Sequence, residues 1–135
     1  MLKIAINIPV RDLDSSTTFF SALGFDVSAQ FAADTNMNRI DVSDDISIML
    51  LTEPRFKAVS GKNLIDATKN AEAIVQLRVE SRQRVDELVD RAFAAGGTPH
   101  HDTNDQGYFY GRSFQDLDGH LWDVFFLQAT PADSE

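Results

Sequence analysis

The strongest constraint on this chain is a pattern that occurs twice. In MLKIAINIPV, Ile4, Ile6, Ile8 and Val10 share one parity while Ala5, Asn7 and Pro9 share the other, as in a strand with one buried face. RDLDSSTTFFSALGFD follows with Leu13, Thr17, Phe20 and Leu23 near helical spacing. The spacing predicts a helix over 15–23, capped by Asp14 or Ser15 and stopped at Gly24. FDVSAQF, NRIDVS and ISIMLL then read as three strands joined by polar turns. In the second half, Val75, Leu77 and Val79 alternate with Ile74, Gln76 and Arg78. SRQRVDELVDRAFAAGG predicts a helix over 82–95, with Ser81 as cap, Val85, Leu88, Val89 and Phe93 as its stripe, and Gly96–Gly97 as its stop. A short TPHH segment and the strands GYFYGRSF and HLWDVFF complete the repeat.

The reading is an α+β fold of two tandem βαβββ modules forming a curved mixed sheet. Module one spans about 1–52, module two about 71–128, and 53–70 is an irregular linker placed to act as a lid or binding loop. Trp122, Val124 and Phe126 are expected to pack beneath the helices.

Charge and residue types narrow the function classes. Twelve basic against 21 acidic side chains give a net charge of −9, which repels phosphate backbones, so no nucleic acid partner is expected. The apolar start is broken by Pro9, falls far short of a membrane span and lacks a cleavable signal pattern. A cytoplasmic protein without membrane attachment is the expectation. With no cysteine, disulfides, thiolate metal sites and a cysteine nucleophile are excluded. No phosphate loop, dinucleotide fingerprint or HExxH motif is present.

NIPVRDLDSSTTFFSALGF and YGRSFQDLDGHLWDVFF, together with the strand-rich tail of each half, resemble the vicinal oxygen chelate superfamily. Its members include glyoxalase I, bleomycin-resistance proteins and extradiol dioxygenases. The likeness spans nearly all of residues 3 to 127. It implies a cup of two modules, a homodimer and, in metal-dependent members, a divalent cation held by four strands. Carried over, those ligand positions fall on Ala5, on Met49 or Leu51, on Ile74 and on Asp123. Only Asp123 offers a hard donor, so no metal cofactor is expected. The alternative keeps a weak divalent metal on Asp123 and the amides of Asn7 and Gln76.

Asp123 sits in an apolar strand, where a carboxylate needs a partner. A four-residue DLDG turn would set Arg112 opposite it, as an ion pair or as a clamp for an anionic ligand. The same parity puts Tyr108, Tyr110, Phe114 and Phe125 with them. The ligand-binding set is therefore Asn7, Gln76, Tyr108, Tyr110, Arg112, Phe114, Asp123 and Phe125. His100 to Asp102 is read as a loop or strand end, because adjacent strand residues point apart, and His120 as a local hydrogen-bonding residue. The leading function is binding of a small aromatic or anionic molecule without the usual metal site. The alternatives are a metal-dependent lyase, isomerase or dioxygenase resembling lactoylglutathione lyase, and an interaction module with no ligand.

Overall fold

Alternation, caps and glycines build each half of the chain locally. Residues 1–129 are described by a computed structural model, and the chain divides between Asn70 and Ala71 into two units. In the first unit, β1 (Ile4–Val10) leads into α1 (Leu13–Ala22). The α1 cap is Asp12, whose carboxylate accepts from the Ser15 amide at 2.9 Å. The expected caps Asp14 and Ser15 lie instead inside the first turn, because a start at Asp12 puts Leu13 on the buried face. Gly24 ends the helix at φ 99°, a backbone conformation that suits glycine. β2 (Asp26–Val27), β3 (Met37–Asp41) and β4 (Ile46–Thr52) follow.

The sheet order is β1-β4-β3-β2, with β1 parallel to β4 and the other pairs antiparallel. Ile48 and Leu50 on β4 are fully buried, with Val10, Phe19, Phe20 and Leu23 in the same core. Each such side chain contributes roughly 1.5–3 kcal/mol by leaving water.

The expected irregular linker opens instead with a helix, α2 (Glu53–Ser60). Thr52 precedes it, Pro54 stands in its first turn and Gly61 closes it at φ 70°. Its signal is weak because no side chain on it is buried, so no apolar stripe announces it. Arg55 on α2 reaches the Met37 sulfur at 3.6 Å, which ties the helix to β3.

The second unit repeats the topology with β5 (Ile74–Arg78), α3 (Arg82–Ala94), β6 (Asn104–Asp105), β7 (Phe109–Gln115) and β8 (Leu121–Leu127). Its order is β5-β8-β7-β6, with β5 parallel to β8. Ser81 caps α3 by accepting from the Arg84 amide at 3.0 Å. Val85, Leu88, Val89 and Ala92 are buried, against a sheet face that carries Phe114, Trp122 and Val124. Phe114 and Trp122 stack with centroids 6.0 Å apart. Thus the two-module α+β fold stands, and Trp122 and Val124 are core residues, while Phe126 on the same face is only half-buried. No helix among the described residues is long and apolar enough to cross a membrane.

Candidate functional site

The last hairpin decides which side chains share a face. Asp116 is buried and gathers its own turn: Oδ1 accepts from the amides of Asp118 (2.9 Å) and His120 (3.0 Å), and Oδ2 from the Trp122 indole (3.0 Å). The Asp116 amide in turn donates to the His120 carbonyl at 3.1 Å. The chain leaves the ladder at Gln115 and re-enters at Leu121. This connection is one residue longer than a DLDG turn, and a one-residue slip moves every side chain to the other face.

Arg112 therefore pairs with Val124 in register, and Ser113 faces Asp123. The expected Arg112–Asp123 pair does not form. Arg112 turns to α3, donating to Asp86 at 2.8 Å and Asp90 at 3.0 Å. Tyr110 and Phe114 share its parity and leave the predicted site. Tyr110 donates its hydroxyl to Asp86 at 2.7 Å, and Phe114 is in the core. The Tyr110 hydroxyl, with Arg112 beside it, holds the Asp86 carboxyl below its ordinary value despite some desolvation. Arg82 lies 4.3 Å over the Tyr110 ring and also pairs with Asp105, tying α3 to β6. Tyr108 is exposed ahead of β7, its hydroxyl on Gln106.

The opposite face of the same sheet carries a pocket of about 360 Å3. Gln76, Arg112, Asp123 and Phe125, all predicted, line it, although the Arg112 guanidinium is engaged with Asp86 and Asp90 on α3. So do Phe109 and Ser113, which the corrected register brings in, and His101, Asp102 and Asn104 from the edge segment. Gln76 is the register partner of Asp123, and its amide donates to Asp123 Oδ2 at 3.2 Å. Phe109 and Phe125 stack at 5.6 Å with 21° between planes. Between them Gly111 leaves room, since a Cβ there would stand 2.9 Å from the Phe109 ring.

The edge segment is held by backbone. Thr98 and Gln115 exchange two hydrogen bonds, and the His101 amide donates to the buried Ser113 hydroxyl at 2.8 Å. Hydrogen bonding to Ser113 draws His101 and Asp102 to the pocket, where the sequence suggested only a loop. Alternation alone, in the right register, would have found Phe109 and Ser113. The His100–Asp102 run stands out in the sequence only as a loop, and nothing there marks Asn104.

Asn7 lies in the first unit, exposed, with Met49 as its register partner and its own amide 3.5 Å from the Ala5 carbonyl. The two units thus match strand for strand, Asn7 beside Met49 as Gln76 is beside Asp123. Among the described residues, no three His, Asp or Glu side chains group as a metal site would require.

Comparisons with known proteins agree on the fold. A hypothetical protein from S. aureus superposes with a TM-score of 0.77 at 30% identity, covering 96% of this chain and 94% of its own. A glyoxalase/bleomycin resistance protein/dioxygenase family enzyme from Burkholderia phytofirmans gives 0.75 at 17% identity, covering 91% of this chain and 96% of its own. A lactoylglutathione lyase from Agrobacterium tumefaciens gives 0.65 at 13% identity, with 91% of each chain covered. None of the curated proteins matches. The family model for the Glyoxalase/Bleomycin resistance protein/Dioxygenase superfamily matches residues 4–124, so the chain belongs to that superfamily.

Proposed function

We propose that the protein is a small-molecule binder of this superfamily, and that its site is the aromatic and polar pocket on the sheet of module two. The observation that carries the reading is the placement of Gln76 and Asp123, hydrogen-bonded to each other, beside the stacked Phe109 and Phe125. An apolar wall with a few convergent polar groups is what small-ligand sites consist of, and the pocket volume lies in their usual range of roughly 300–1,000 Å3.

A resident divalent metal fits the donor chemistry poorly. Ala5, Ile74 and either Met49 or Leu51 stand where the resemblance implies ligands, and none has a hard donor. Asp123 with one neutral amide falls short of the six to eight oxygens that calcium takes, or the near-octahedral set magnesium demands. We accordingly derive no metal-dependent step. Assembly as a homodimer belongs to the same reading, and light scattering near twice the 15.0 kDa chain mass checks it.

The test of the binding site is NMR of nitrogen-labelled protein in chelator, titrated with a library of aromatic fragments. Shifts centred on the amides of Gln76, His101, Gly111, Ser113, Asp123 and Phe125 are expected. Fragment binding centred elsewhere, or seen only after zinc, nickel or manganese is added, overturns the reading.

A further inference from the structure

The polarity of the pocket goes further than the binding reading on which this inference rests. We propose that the module-two pocket selects a flat organic cation, with Asp123 as counter-ion and the Phe109–Phe125 pair as the wall against which the cation lies. Asp123 is half-buried on the pocket face, and no ion pair involving it occurs among the described residues. Its one hydrogen-bond donor, the Gln76 amide, carries no charge. A second carboxylate, Asp102, lines the same pocket.

The basic groups near this face are committed elsewhere. The Arg112 guanidinium is drawn to Asp86 and Asp90 on the α3 side. Arg78 shares the strand parity of Gln76 but donates to the Leu127 carbonyl at 3.3 Å, beyond the pocket lining. Arg112 is among the lining residues, but its guanidinium is already paired with Asp86 and Asp90, so an anion entering here would meet Asp123 and Asp102 with the nearest arginine neutralised, within a chain whose net charge is −9. A neutral aromatic would cover Asp123 and strip its water without replacing it. A cation offsets that loss at the carboxylate and gains attraction to the aromatic ring faces. The missing side chain at Gly111 lets the Phe109 ring lie over the strand beside Phe125, so the wall offered to the cation is flat.

The experiment compares three probes of nearly one shape, N-methylquinolinium, 1-methylnaphthalene and 1-naphthoate. Each is titrated by calorimetry and NMR into the full chain in chelator at low salt. The cation should bind about tenfold more tightly than the neutral probe, and the anion more weakly than either. Asp123→Asn should lower the cation's affinity and raise the neutral probe's, closing most of the gap between them. Asp102→Asn, at an exposed position, should lower cation affinity by a smaller factor and guards against a folding defect in the first variant. Equal affinities for cation and neutral probe, or a preference for the anion, overturn the charge selection while the binding reading stands. Cation affinity that is unchanged in both variants also overturns it. Failure of all three probes to bind at millimolar concentration overturns the binding reading as well.

Discussion

Arg112 donates to Asp86 across 2.8 Å, and this pair, extended to Asp90, fastens α3 to β7 on the face away from the pocket. The Arg112 side chain is 18% exposed while Asp86 is 46% exposed, so water screens one partner and not the other. The value of such a pair lies between that of surface and buried bridges. Arg112→Ala is expected to lower stability by about 1–2 kcal/mol. Asp123→Asn, which only exchanges one partner for Gln76, should cost less than about 0.5 kcal/mol. Urea unfolding of both variants measures the contrast, and the reverse order would restore an Arg112–Asp123 pair.

Acid should act through Asp86. The Tyr110 hydroxyl first, then Arg112, lowers its carboxyl below 3.8 in the folded chain. A depressed folded value means that the stabilisation is complete above the unfolded value. It is lost as pH falls through the lower, folded one. Thermal melting followed from pH 5 downward should therefore decline less steeply for Asp86→Asn than for the parent. Parallel curves would remove Asp86 from the acid response.

Much of this was legible in the sequence because it is locally encoded. The Ser81 cap, the Val85–Leu88–Val89 stripe and the alternation of β1 and β5 each depend on residues a few positions apart. The pocket face was not. Its membership turned on whether the hairpin after Gln115 holds four or five residues, and the Asp116 carboxylate settles that by collecting donors as far as Trp122. Residues on β5 and β8 kept their assigned face, so Gln76, Asp123 and Phe125 remain together. Those on β7 exchanged faces, which replaced Tyr110 and Phe114 by Phe109, Gly111 and Ser113 and left Arg112 at the pocket with its guanidinium turned to α3. The parity of an amphipathic strand with aromatics on both faces is ambiguous until its partner is fixed.

Asp116 should titrate in the opposite sense to Asp86. Burial is the main cause and raises its carboxyl above 3.8, against the lowering effect of His120 and of the Trp122, Asp118 and His120 donors. An acid with a raised folded value weighs against folding as pH climbs from the unfolded value through the folded one. The indole of Trp122, the only tryptophan, donates directly to it, so its fluorescence should change with a midpoint above 3.8. In Asp116→Asn that transition should vanish. The same variant should cost about 1–3 kcal/mol, because an amide cannot accept on both sides. A midpoint at or below 3.8 would show that water reaches the carboxylate.

Gly111 separates packing from binding most directly. Its place between Phe109 and Phe125 requires no special backbone angle, since its φ is not positive. What constrains it is the ring of Phe109, with Cε1 at 2.9 Å and Cζ at 3.1 Å from where a Cβ would stand. Alanine must push that ring aside, and the ring is a side-chain end at a half-buried surface rather than a fixed backbone wall. Gly111→Ala should therefore cost only about 1 kcal/mol in unfolding experiments. It should weaken the aromatic fragments that perturb the Phe125 amide by a larger factor than it shifts melting. Phe109→Ala removes the obstructing ring, so adding it to Gly111→Ala should recover the stability but not the binding. A double variant that recovers both would mean that Phe109 merely fills space and contributes no wall to the site.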